Sequence, residues 1–179
     1  MINRLLAAAA MAIFASAHAA AQDPENTLIL ELEDGPVTIE LLPEVAPNHV
    51  DRIKSLTRDG FYDGVVFHRV IPGFMAQTGD PTGTGAGGSD LPDLKQEFNA
   101  TKHERGVVSM ARTSDPNSAN SQFFIMFDKT PSLDNQYTVF GRVIDGMETI
   151  DGLNAGTMQN NGAVANPDKI VKARIASDS

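Results

Sequence analysis

From residue 27 to residue 42 the chain alternates apolar and polar side chains on both sides of an Asp34-Gly35 pair. Period-two alternation puts one set of side chains on one face of a strand, and an Asp-Gly pair supplies the positive φ that a tight hairpin turn needs. Shorter runs of the same kind recur at 65–70, 74–78, 107–111, 123–126, 138–144 and 170–175, separated by Gly- and Pro-rich stretches. Only two segments show a helical pattern. One opens at Ala46-Pro47, carries Val50, Ile53 and Leu56, and stops at Gly60; the other spans 147–153. Two helices are too few to layer an α/β sheet, so the pattern predicts an all-β barrel or sandwich with two helices. The polar loop 154–168 is expected on the surface.

The first residues belong to a different kind of segment. Arg4 precedes an apolar run at 5–14, and small residues follow up to Ala21, with A-x-A sites ending at Ala19 and Ala21. This is the pattern of a secretory leader at 1–21, cleaved after Ala19 or Ala21; the run is shorter than the roughly 20 residues a membrane-spanning helix needs. A polar lead at 22–26 then precedes one domain at 27–176, with no stable membrane insertion after cleavage. The chain contains no cysteine, which excludes thiol catalysis and Cys-based zinc sites. Its formal charge of −9 argues against nucleic acid as a partner, because phosphate contact requires clustered Lys and Arg.

Several chemical motifs are present in letters only. Residues 83–88 read G-x-G-x-x-G, but Pro92 follows closely and no helix opens there, so a tight glycine turn is the better reading. His49, His68 and His103 are too widely spaced for a local metal site, and no G-x-S-x-G marks a nucleophile. Asp115, Asp128 and Asp134 sit in turn-like contexts where carboxylates cap backbone groups.

The segment 67–80, FHRVIPGFMAQTGD, behaves differently. Taken singly, Arg69 reads as a salt-bridge partner on a strand, Phe74 and Met75 as core, and Gln77 as a solvated amide. Taken together, they bring a cation, an apolar pair and an amide to one Pro-Gly break. Adjacent strand residues point to opposite faces. Either the strand bends at Phe74, or one of the pair lines a separate surface pocket.

This segment resembles the signature of the cyclophilins, the cyclosporin-binding class of peptidyl-prolyl isomerases. Residues 108–112 (VSMAR), 120–125 (NSQFFI) and 133–141 (LDNQYTVFG) resemble further motifs of that family, and the similarity runs from Thr27 to Ile175. The resemblance implies an eight-stranded antiparallel β-barrel, filled with side chains and capped by a helix at each end, with the substrate groove on its outer face. It implies Arg69 as the catalytic cation, with Phe74, Met75, Phe124 and Leu133 around the proline. Gln77 and Gln122 would hold the peptide, backbone groups at Ala111 and Arg112 would pair with it, and His68 and Tyr137 complete the substrate-binding set. No metal or cofactor is implied.

Three positions depart from the family pattern. Ser132 stands where many members carry tryptophan, so weak cyclosporin binding is expected. Tyr137 replaces a frequent histidine, and Arg112 a frequent asparagine, with one extra residue in the turn after it. The expected function is a monomeric, periplasmic or secreted peptidyl-prolyl cis-trans isomerase acting on proline-containing polypeptides. The competing expectations are a non-catalytic module or chaperone that binds proline segments on the same barrel, and a barrel carrying a small apolar ligand.

Overall fold

The computed structural model describes residues 22–178, so the leader expected at 1–21 and its cleavage sites lie outside the described residues. The first hairpin joins β1 (Thr27–Leu32) to β2 (Gly35–Leu41), with Leu28 opposite Ile39 and Leu30 opposite Val37. These four side chains are fully buried, as the alternation requires. Six further strands follow: β3 (Arg69–Ile71), β4 (Met75–Thr78), β5 (Val107–Met110), β6 (Phe123–Met126), β7 (Val139–Asp145) and β8 (Ile170–Ile175). They form one antiparallel sheet in the order β3-β4-β6-β5-β7-β2-β1-β8.

The sheet closes into a barrel at its two ends. The run expected at 65–70 enters the sheet as a strand only at Arg69, because the residues before it are used for closure. Gly64 N–H donates to Ile170 O at 2.7 Å, Ile170 N–H to Val65 O at 2.9 Å, and Phe67 N–H to Asp168 O at 2.8 Å. Val70 N–H donates to Gly162 O at 2.8 Å, and Val164 N–H to His68 O at 3.1 Å. The loop 154–168 is therefore more than surface: it covers the seam that would otherwise leave two open strand edges.

Two helices pack against this barrel. In α1 (Pro47–Arg58), Val50, Ile53 and Leu56 enter the core, and the helix lies against β7 and β8. Ala46 offers no side-chain cap, so a distant carboxylate supplies one. Glu97 accepts from Asn48 N–H at 3.2 Å and His49 N–H at 3.1 Å, satisfying donors that begin a helix without partners. The second helix, α2 (Met147–Asp151), is two residues shorter than the 147–153 pattern and anchors Ile150 in the same core beside β2.

The barrel wall separates two apolar clusters. Val70, Ala76, Val108, Phe123, Ile125 and Phe140 point inward with the strands of the first hairpin. Ile71, Met75, Val107, Phe124, Met126 and Val139 form a second cluster on the outer face, flanked by Phe74, Leu133 and Tyr137. Every residue of β5 and β6 is consequently buried, a burial pattern unusual for a strand with one wet face.

Three buried histidines tie stability to pH. Burial lowers the pKa of His49, His68 and His103 below 6.5, outweighing the nearby carboxylates Glu97, Asp80 and Asp134 respectively, which raise it. The unfolded chain then binds more protons than the native one as pH falls through 6.5, so stability falls with acidification. Denaturant midpoints are expected to decrease between pH 7.5 and 5.5, with a slope of at most about 1.4 kcal/mol per pH unit for each histidine. A flat urea profile across that range would contradict neutral burial of these rings.

Candidate active site

The cross-strand register builds the site. Arg69 on β3 lies opposite Gln77 on β4, Gln77 opposite Phe124 on β6, and Phe124 opposite Ser109 on β5. This row crosses the outer face of the wall, so its side chains share one surface by the period of two. Phe74 precedes the first residue of β4 and sits in the turn after Pro72, its N–H donating to Ile71 O at 3.0 Å. That position resolves the parity conflict: Met75 points outward as a strand residue, while Phe74 reaches the same side from a turn.

A cleft of about 130 Å³ opens on this face, lined by Arg69, Phe74, Met75, Gln77, Ala111, Arg112, Phe124, Leu133 and Tyr137. Gln122 lies beyond the rim, and His68 lines a separate hollow behind Arg69 with Gly85, Ala86 and Asn161. The two ring nitrogens of His68 are buried without hydrogen-bond partners, and the ring sits beneath Gly85. Among the described residues, no group of three or more His, Asp or Glu gathers where it could hold a metal ion.

Arg69 is held from two sides and paired with no carboxylate among the described residues. On one side Nε–H donates to Asn161 O at 2.9 Å, and Nη2–H donates to Asn161 Oδ1 at 3.0 Å. On the other, Nη1–H donates to Gln77 Oε1 at 3.2 Å. The guanidinium has no acceptor atom, so it fixes the orientation of every amide after it. Gln77 must turn its Nε2–H to Gln122 Oε1, at 2.9 Å, and Gln122 then donates to Gly87 O at 2.8 Å and Gly85 O at 3.0 Å. Burial draws the Arg69 pKa below the ordinary guanidinium range, yet a guanidinium stays cationic at neutral pH.

The loop that receives this chain is itself organised by an anion. Asp80 is fully buried and accepts from the backbone N–H groups of Thr82, Thr84, Gly85 and Gly87, at 2.6–3.1 Å. Burial raises its pKa, but the hydroxyl and backbone hydrogen bonds of Thr82, with those of Gly87 and Gly85, overcome this and hold it well below the usual carboxylate range. The G-x-G-x-x-G letters thus describe a nest for an internal carboxylate. Gly87 is needed there because any Cβ would collide with Asp80 Oδ1.

Behind the cleft, three polar side chains join in a relay. Ser109 Oγ lies 2.8 Å from His103 Nε2, and His103 Nδ1 lies 3.2 Å from Asp134 Oδ1. The order matches a nucleophilic triad, yet Ser109 is fully buried, so no substrate reaches it. Its role is support. The His103 ring stacks against Phe124 with centroids 6.3 Å apart and meets the edge of Tyr137 at 6.5 Å. Asp134 also accepts His103 N–H at 2.9 Å, fixing the segment that carries Leu133.

Asn161, His103 and Asp134 were not singled out as site residues by the sequence reading. The Asn161-Gly162 pair carried a usable signal: both adopt positive φ, 55° and 78°, as a tight left-handed turn demands. A lone His103 carried none.

The fold and this outer-face cleft define a proline-directed isomerase barrel, and the chain belongs to the cyclophilin-type peptidyl-prolyl cis-trans isomerase family, whose model matches residues 27–175. A probable peptidyl-prolyl cis-trans isomerase of Brucella suis biovar 1 (strain 1330) is 54% identical over 99% of this chain and 98% of its own. Among solved structures, the cyclophilin AquaCyp293 from Hirschia baltica matches with a TM-score of 0.78 and 35% identity, covering 88% of this chain and 76% of its own. A cyclophilin-type isomerase from Cryptosporidium parvum, crystallised in the presence of the dipeptide Ala-Pro, matches at 0.77 and 31% identity, covering 83% and 98%.

Asn161→Gly retains the left-handed turn and the backbone carbonyl but removes Oδ1. Loss of one charge-assisted hydrogen bond is expected to lower kcat/KM about tenfold. Tm should move little; unchanged kcat/KM would show that Gln77 alone suffices to position Arg69.

Proposed function

We propose that this isomerase acts on exported proteins and lowers the rotation barrier through Arg69. The observation that carries the mechanism is a cation without a carboxylate, clamped at both flanks, beside a small apolar slot. An X-Pro bond resists twisting because the nitrogen lone pair is delocalised into the carbonyl. Unaided isomerisation takes about 10–100 s at 25 °C. A turnover of about ten per second therefore asks for roughly a thousandfold, or about 4 kcal/mol. This is within reach of positioning and one strong hydrogen bond.

In the twisted state the prolyl nitrogen is pyramidal and regains its lone pair. A guanidinium N–H aimed at that nitrogen binds the twisted amide better than the planar one, which is the condition for raising the rate. Phe74, Met75, Phe124 and Leu133 grip the ring while the preceding carbonyl swings. Because Asn161 and Gln77 already orient the guanidinium, little is lost in ordering it when substrate arrives.

The leader at 1–21, cleaved after Ala19 or Ala21, supports a periplasmic or secreted location. Among the described residues, only Leu91, Met158 and Val171 are large apolar side chains left exposed, which supports a monomer. Ser132, exposed before the half-buried Leu133, offers no aromatic wall, which supports weak cyclosporin binding.

Arg69→Ala is expected to lower kcat/KM at least about tenfold in an X-Pro isomerisation assay with circular dichroism unchanged. Full activity of that variant would remove Arg69 from the mechanism. N-terminal sequencing of the exported protein should begin at residue 20 or 22; an intact Met1 would refute processing.

A further inference from the structure

Arg69 is not the only arginine at the cleft that lacks a carboxylate. Arg58, Arg105, Arg142 and Arg174 each hold a carboxylate within ion-pair distance. Arg112 has none among the described residues, yet it is firmly placed. Its Nε–H and Nη2–H both donate to Gln136 O, at 3.0 and 2.8 Å, and its Nη1–H donates to Thr113 O at 2.8 Å. Its guanidinium lies 4.5 Å from the ring centroid of Tyr137 and 6.0 Å from that of Phe98. Carbonyl and aromatic partners orient a guanidinium without cancelling its charge.

The position is as informative as the charge. Arg112 lines the proline cleft and also an adjoining pocket of about 500 Å³, which the two share through Gln77, Ala111 and Arg112. A peptide whose proline fills the first and whose neighbouring residue enters the second crosses this shared edge, where Arg112 carries the one charge. Three of the five guanidinium N–H groups are used on main-chain carbonyls, which leaves two for a ligand. Asp93 is the one carboxylate lining the larger pocket; it accepts from Asn120 Nδ2 at 3.0 Å and forms no ion pair with Arg112.

We infer that Arg112 is a specificity-determining residue that selects substrates bearing a carboxylate on a residue flanking the proline. The inference rests on the isomerase reading of the same cleft. The chain as a whole is acidic, at −9, so the selection is local: screening leaves only close charges effective at physiological salt.

The test is exchange NMR on short X-Pro peptides carrying Glu, Gln or Lys one residue before, two residues before, or one residue after the proline. At one of these positions the Glu peptide should exceed the Gln peptide by about fivefold in kcat/KM, the size of a solvent-accessible charge pair, with Lys lowest. Arg112→Gln should erase the difference, Arg112→Lys should restore part of it, and 0.5 M salt should compress it. Glu-to-Gln ratios within about twofold at every position, or discrimination that survives in Arg112→Gln, would overturn the inference. A preference for Lys would overturn it as well and assign control to Asp93. Absence of turnover on all peptides would refute the isomerase reading, and the selectivity would fall with it.

Discussion

The architecture depends on a wall of strands that must be apolar on both faces. In β4, β6 and β5 one set of side chains fills the barrel, while the alternate set, Met75, Phe124, Met126 and Val107, builds an outer cluster. A slipped register would exchange the two sets, and both would still be apolar. Pattern alone therefore fixes this wall weakly. The polar members of the outer row remove the ambiguity. Arg69, Gln77 and Ser109 find hydrogen-bond partners only on the outside, so the residues that make the site also fix which way the wall faces.

Conditions for stability and for chemistry meet at Arg69. A cation without a carboxylate is usually a liability, since burial disfavours the charge and no Coulomb partner offsets it. Here a carbonyl and two amide oxygens supply the compensation. Neutral acceptors satisfy the geometry while leaving the positive potential intact, which a carboxylate would have cancelled. The same logic separates Arg112 from the paired arginines elsewhere on the surface.

Most of the barrel was legible in the sequence because period-two alternation and Gly/Pro punctuation report local geometry directly. The first hairpin, α1, β6 and β8 follow those patterns closely. The run at 65–70 did not, because its alternation serves closure by a loop rather than pairing with a strand. Half of the site was legible as well. Phe74, Met75 and Gln77 are close to Arg69 in sequence, and motif resemblance extended the set to Phe124, Leu133 and Tyr137. The Asn161-Gly162 pair signalled its own turn but not its contact with Arg69, since a polar loop residue 92 positions from its partner leaves no periodic trace of that meeting. Asp134 was read as a backbone cap, and it is one; its second bond, to the His103 ring, depends on a tertiary meeting that sequence spacing does not encode.

The carboxylate of Asp80 bears on the timing of order in this enzyme. A loop whose amides converge on a diffusible anion has its donors fully satisfied only while that anion is bound. In this chain the anion is covalently part of the loop, so the arrangement is completed once, during folding. Gln122, which hangs from two of that loop's carbonyls, and Arg69 behind it inherit a fixed frame. The groove is therefore set before any peptide arrives, and encounters with substrate are spent on turning the peptide bond rather than on assembling the site.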